Sequence, residues 1–187
     1  MKEKRLITSA LPYTNNVPHI GNIVGSHLPA DIFARYSRLA GYDVAFVGGT
    51  DEHGTASEIA AQKFNVDCKK LCDFFYKIHK EIYDWFNISY DNFSRTSKKI
   101  HHEVVKEFFL TMYKNGALIE KKVKVPYCNS CKRSLADRYI TGKCPYCSYE
   151  KARGDQCENC GKLLDPKNLI NPSCIVCGKH NIEFIER

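Results

Sequence analysis

No apolar run in this 187-residue chain approaches the roughly 18 residues that span a bilayer. No signal-peptide core precedes a cleavage site either, since Met1-Lys-Glu-Lys-Arg5 leads straight into a strand-like segment. Membrane insertion and secretion are thereby disfavoured, and a cytoplasmic location with no membrane partner is the expectation. Low-complexity tracts are missing, and nothing repeats except a Cys-x-x-Cys unit, which excludes solenoid and tail architectures. With 43% hydrophobic and 26% charged residues, the composition is that of a globular protein, not a disordered one. Acidic residues are scarce in one stretch: between Arg95 and Arg153 fourteen Lys or Arg face five Asp or Glu. A solvated basic face explains this, and so does a polyanionic partner such as RNA.

Cysteine, by contrast, is abundant. Eight of ten fall in four pairs, Cys128/Cys131, Cys144/Cys147, Cys157/Cys160 and Cys174/Cys177. Tight pairs of this kind suit two closed tetrahedral ZnS₄ sites far better than a disulfide framework. Each such site carries two negative charges, so both together lower the formal +7 to +3. Proximity alone joins the first pair to the second across twelve residues and the third to the fourth across thirteen. Pro145 and Gly161 fit the tight turns of knuckles. The remaining cysteines, Cys68 and Cys72, lie one helical turn apart, and at least one should face a core.

Arg5–Ala10 reads as a short strand ending in a Pro/Asn-rich turn. Ile20, Ile23, Val24, Leu28, Ile32, Tyr36 and Leu39 recur at helical spacing, giving a helix at about 19–40, kinked or divided near Pro29 and closed by Gly41. Asp43–Gly48 has a buried-strand pattern, followed by the turn Gly49-Thr-Asp-Glu-His-Gly54 and a helix through about Phe64. Strand, crossover helix and strand make a βαβ unit, so a parallel sheet is implied. Amphipathic helices are expected at about 66–86 and 97–114, with Phe74, Phe75, Ile78, Ile82, Trp85 and Phe86 as a core stripe. Near Gly116 the character changes: 117–125 alternates like a strand, and the apolar-poor cysteine region beyond, turned by Gly142, Gly154, Gly161 and Gly178, should need metal to hold its shape.

His19-Ile20-Gly21-Asn22 opens the first long helix, where free N–H groups and the dipole favour an anion. Gly21 permits close approach, and His19 could donate to a phosphate oxygen; a plain helix cap is the other reading of His19. Asp51 ends the second strand at the same sheet edge. It could hold an ammonium group or a ribose, or simply cap the next helix. His53 could be catalytic, but a polar turn histidine is the commoner case.

Ala10-Leu-Pro-Tyr-Thr-Asn-Asn-Val-Pro-His-Ile-Gly-Asn22 resembles the signature of class I aminoacyl-tRNA synthetases, specifically the methionyl-tRNA synthetase family. Ala30–Asp43, Gly49–Thr55 and Phe86–Phe93 are similar to further segments of that family, and the four cysteine pairs resemble its two-zinc, archaeal- and eukaryotic-type members. The resemblance covers the whole chain. It implies an α/β fold: the first half of a Rossmann-like parallel-sheet nucleotide-binding domain over 1–116, and a connective-peptide insertion with two zinc knuckles over 117–187. It implies that Leu11 and Tyr13 line a methionine pocket, that Asp51 holds the α-ammonium, and that His19, Gly21 and Asn22 contact ATP, a substrate together with Mg²⁺. It also implies the nested zinc order, Cys144, Cys147, Cys157 and Cys160 inside and Cys128, Cys131, Cys174 and Cys177 outside. The partners implied are methionine, ATP and tRNA-Met.

Two departures stand out. Asn22 replaces the usual histidine, while keeping a hydrogen-bond donor. The family's Lys-Met-Ser-Lys-Ser loop, the second half of its sheet and its anticodon-binding helices have no counterpart here. The expectation is therefore an N-terminal piece of a longer ligase, inactive alone and prone to self-association through uncovered apolar surface. The competing reading is a non-enzymatic zinc-ribbon module that binds RNA through the basic stretch and Tyr113, Tyr127, Tyr139 and Tyr146. A different class I synthetase is disfavoured by the short zinc-bearing insertion.

Overall fold

The computed structural model describes residues 2–187 and divides into two compact units, Met1–Ala117 and Leu118–Arg187. In the first, β1 (Lys4–Thr8) pairs in parallel with β2 (Asp43–Thr50), and β2 with β3 (Asn92–Arg95). The order β1-β2-β3 puts the carboxyl ends of all three strands on one edge. β1 and β2 are the expected βαβ strands. β3 was not anticipated, because Asn-Phe-Ser-Arg holds one apolar residue and becomes a strand only through its tertiary partner.

Between β1 and β2 run a short turn α1 (Ile20–Asn22), a π-helical stretch (Ile23–His27) and α2 (Leu28–Leu39). The division expected near Pro29 is made just before it. Pro29 has no N–H to offer and sits in the first turn of α2, where that lack is tolerated, while the Leu28 N–H reaches back five residues to the Ile23 carbonyl. Gly41, at φ +89°, ends α2 as expected. The helices α3 (Thr55–Phe64), α4 (Cys68–Trp85) and α5 (Lys99–Lys114) complete the unit.

Ile7, Ile23, Ala34, Phe46, Tyr83 and Ile88 form the main core, and Ala61, Leu71 and Phe75 a second cluster between α3 and α4. Cys72 is buried. The expected stripe on α4 is only partly internal. Phe75 is buried, whereas Phe74 and Trp85 are 60% and 79% exposed, because they lie on the flanks of a face whose centre is Leu71, Cys72, Phe75, His79 and Tyr83. α5 buries no residue at all.

The second unit is made of short antiparallel strands in two three-stranded sheets. One contains β4 (Lys124–Cys128), β5 (Arg133–Ser134) and β9 (Ile182–Glu186) in the order β5-β4-β9. The other contains β6 (Ile140–Lys143), β7 (Ala152–Arg153) and β8 (Ile170–Cys174) in the order β7-β6-β8. The strand expected over 117–125 begins only at Lys124, where the register with β9 starts at Glu186; just before it Val123 and Arg187 exchange both backbone hydrogen bonds (2.8 and 3.0 Å), and 117–122 is not strand. Gly142 lies within β6, not in a turn, and a Cβ there would meet the Ile170 carbonyl at 3.0 Å.

Candidate active site and cysteine clusters

Beyond β1 the chain continues as a loop at the carboxyl edge of the sheet, held at several points. The Ala10 N–H donates to Ser26 Oγ (2.8 Å), and His79 Nε2 bonds the Asn16 carbonyl (2.8 Å) from α4. Tyr13 forms an isolated parallel bridge with Asp51: the Asp51 N–H donates to the Pro12 carbonyl (2.9 Å) and the Thr14 N–H to the Asp51 carbonyl (3.2 Å). Tyr13 and Asp51 therefore lie side by side, as a continuation of the sheet. Gly54 is needed here for space. A Cβ on it would stand 2.5 Å from Tyr13 Cε1, so only glycine lets the ring lie against the turn. Leu11 and Tyr13 keep 49% and 42% of their surface exposed.

Asp51 is not the cap of α3. That N-cap is Gly54, with no side-chain bond, and Asp51 Oδ1 instead accepts the His53 N–H at 3.1 Å. His53 Nε2 in turn lies 3.0 Å from His102 Nε2.

His19 is the N-cap of α1. Its Nδ1 accepts the Asn22 N–H (3.3 Å), and Asn22 Oδ1 accepts the His19 N–H (3.1 Å), a reciprocal capping box. Because Nδ1 accepts, the proton of the neutral ring is on Nε2. Gly21 fits under this ring, since a Cβ would come within 3.0 Å of it. The cap and ligand readings of His19 are thus compatible: the cap occupies one ring nitrogen and leaves the other as a donor. The Asn22 amide likewise uses its oxygen and keeps its NH₂.

Leu11, Tyr13, Asn16, His19, Asn22 and His79 line a cavity of about 340 Å³. A second, of about 380 Å³, shares Leu11 and is otherwise walled by strand ends and α5, including Gly48, Gly49, Arg95, Ile100 and Val104. Leu11 therefore stands between a polar and a more apolar space. A third cavity, walled by Phe64, Leu71, Phe74 and Phe75, contains none of the expected site residues.

Beneath the loop is a buried polar group that sequence reading did not find. His27, in the π-helical stretch, places Nδ1 2.7 Å from Tyr90 Oη and Nε2 3.0 Å from Tyr83 Oη; Tyr90 Oη also meets Ser9 Oγ at 2.7 Å. Burial, with a smaller contribution from His79, pulls His27 down to about 4, so the ring is neutral at neutral pH. No motif signals this group, because its members come from four separate segments.

In the second unit the eight paired cysteines form two groups, Cys128/Cys131/Cys174/Cys177 and Cys144/Cys147/Cys157/Cys160, the nested order. Sulfur–sulfur distances are 3.7 Å (Cys128–Cys177), 3.9 Å (Cys131–Cys174), 3.9 Å (Cys144–Cys160) and 3.6 Å (Cys147–Cys157). Four sulfurs at ~2.3 Å from one tetrahedral centre lie ~3.8 Å apart, whereas a disulfide needs ~2.05 Å. The donor sets fit a tetrahedral thiophilic cation and no disulfide. Every pair is followed by a residue at positive φ: Lys132 (52°), Ser148 (61°), Gly161 (69°) and Gly178 (69°). The left-handed step at Ser148 and at Gly161 is followed by an N–H that bonds sulfur, Tyr149 to Cys147 and Lys162 to Cys160, and within the first pair the Cys131 N–H points to Cys128 Sγ at 3.4 Å. The Asn159 amide and the Tyr149 N–H draw Cys147 down to about 6. Cys160 has an N–H from Lys162, but burial and its bond with Cys147 push it up to about 11.

Residues 5–185 match the family model of tRNA synthetases class I (M). The chain belongs to that family. It is similar to the cytoplasmic methionine–tRNA ligase of Arabidopsis thaliana, 52% identical over 178 residues that cover 94% of this chain and 22% of that protein. It is similar, too, to the methionine–tRNA ligase of Borrelia hermsii, 53% identical over 186 residues, 100% of this chain and 25% of that one. The chain thus spans about a quarter of the length of the curated relatives it matches. Among solved structures, Mycobacterium tuberculosis methionyl-tRNA synthetase in complex with methionyl-adenylate superposes with a TM-score of 0.64 at 25% identity, over 99% of this chain and 31% of that one. The mixed α/β architecture with a parallel sheet agrees with a class I synthetase domain. No helix of the described residues is long and apolar enough to cross a membrane.

Proposed function

We propose that this chain is the N-terminal part of a methionine–tRNA ligase. On this reading 1–116 is the first half of the nucleotide-binding domain and 117–187 the connective-peptide insertion. The observation that carries it is the juxtaposition at one sheet edge: the His19–Asn22 capping box after β1, and Asp51 after β2, joined through the Tyr13–Asp51 bridge.

The reaction is attack of the methionine carboxylate on the α-phosphorus of ATP, supplied with Mg²⁺, releasing pyrophosphate. A ribose hydroxyl of the terminal adenosine of tRNA-Met then takes the acyl group and AMP leaves. Asp51 holds the α-ammonium, while Leu11 and Tyr13 line the methionine side chain. The His19 Nε2–H, the Asn22 amide and the backbone at Gly21 contact the phosphates. Donors fixed in advance by their own capping bonds stabilise charge as it develops, without reorganising. No covalent enzyme intermediate is needed.

The two Cys₄ groups hold structural zinc, because four sulfurs leave no coordination position for water or substrate. Residues 1–187 by themselves do not form adenylate, and the protein acts in the cytoplasm. Amino-acid-dependent ATP–pyrophosphate exchange by the full-length protein tests the proposal. Exchange with methionine alone supports it, and no exchange with any amino acid overturns it in favour of an RNA-binding zinc module.

A further inference from the structure

Residues 50–52 alternate about the sheet edge. Thr50 and Glu52 point inward, 0% and 6% exposed, and Asp51 between them faces the loop. The Glu52 carboxylate is fully engaged: Oε1 accepts from Arg95 Nε (2.7 Å) and the Thr50 hydroxyl (3.1 Å), and Oε2 accepts from the Ser97 hydroxyl. Its N–H donates to Thr96 Oγ1 (2.9 Å), and the Thr96 N–H donates to the Thr50 carbonyl (3.1 Å). Arg95 is held in its turn by Asp73 of α4 (Nη2–Oδ1 2.6 Å) and by the Tyr76 ring, whose centroid lies 4.6 Å from its guanidinium carbon.

A buried carboxylate is costly even when paired, and replacing such a pair as a whole by well-packed apolar side chains is often neutral for the fold. What this charge does provide is direction. Glu52 is tied to one flank, residues 95–97, while Asp51 is tied to the other through Pro12 and Thr14. The backbone of Asp51 is stretched between the signature loop and β3 and cannot rotate without breaking one of the two sets.

We infer that Glu52, acting through Arg95, Thr96 and Ser97, is a positioning residue that sets where the Asp51 carboxylate stands against the ammonium group of the amino-acid substrate. The inference deepens the proposed function and rests on it. Loosening the clamp weakens binding of the group Asp51 holds and leaves the nucleotide contacts on the other flank in place.

The test is exchange kinetics of the full-length protein, with active sites titrated by the adenylate burst. Glu52→Ala is expected to raise KM for methionine about ten-fold, with KM for ATP within about two-fold of wild type. Glu52→Gln keeps an oxygen for Arg95 and Thr50 and should recover most of that loss. A fall in active fraction with both KM values unchanged, or an equal rise in KM for ATP, overturns the inference and leaves Glu52 a stability residue. Should Glu52→Ala not fold, Ser97→Ala removes a single bond of the clamp; a rise of about three-fold in KM for methionine alone supports positioning, and no change overturns it. Failure of the wild type to exchange with methionine would appear before any variant is made, and would sink the functional reading itself.

Discussion

His19 and Asn22 hold each other. The ring nitrogen of one accepts the backbone N–H of the other at 3.3 Å, and the amide oxygen of the second accepts the backbone N–H of the first at 3.1 Å. Both side chains thereby spend acceptors internally and present donors outward, which suits an acceptor-rich ligand such as a phosphate. Asn22→Asp keeps the acceptor but replaces the NH₂ by negative charge. Exchange by the full-length protein should fall by about a hundred-fold or more, with unchanged far-UV circular dichroism. An equally active Asn22→Asp enzyme would remove Asn22 from the phosphate site.

The nested clusters predict how metal is lost. Cys144→Ser breaks one group and leaves the other intact, since no cysteine belongs to both. Zinc measured by atomic emission should drop from two to about one per chain, and the β6–β7–β8 sheet should become protease-sensitive. Two zinc ions retained in Cys144→Ser would contradict the grouping.

Acid should weaken the first unit through His27. Its folded value is lowered to about 4, below the ordinary value near 6.5. Between these pH values the unfolded chain binds a proton that the folded chain refuses, so stability is full above about 6.5 and is lost as pH falls toward 4. The loss attributable to this ring is on the order of 3 kcal/mol. His79, lowered by its burial, acts in the same direction. Urea midpoints measured from pH 7.5 to 5 should decline less steeply in His27→Gln than in wild type, and parallel curves would exclude His27 as the cause.

Along α5 the apolar residues are open to solvent: Ile100 is 67%, Val104 57% and Phe108 68% exposed, and they recur on one helical face. An apolar stripe of this extent should drive self-association of residues 1–187 in isolation. Sedimentation velocity should show species larger than the 21.4 kDa monomer. The pair Val104→Lys and Phe108→Lys should restore the monomer with helicity intact. A monomeric wild-type chain at micromolar concentration would rule the stripe out as an association surface.

Much of this protein was legible in its residues one segment at a time. The periodicities of 19–40 and 43–48, the glycine closing α2 and the Cys-x-x-Cys spacing are local signals, and local sterics and metal geometry leave them few solutions. The pairing of the clusters was not local: proximity favoured neighbours, and folding set the first pair beside the fourth because β4 carries Cys128 against β9, while β8 delivers Cys174. β3 exists because β2 offers it a ladder. Phe74 and Trp85 lie outside because an apolar face has edges that periodicity alone does not draw. Asp51 announced itself, but the clamp beneath it and the buried His27 group did not. Their members, spread from Ser9 to Ser97, gain meaning only when burial strips their water and leaves them one another as partners.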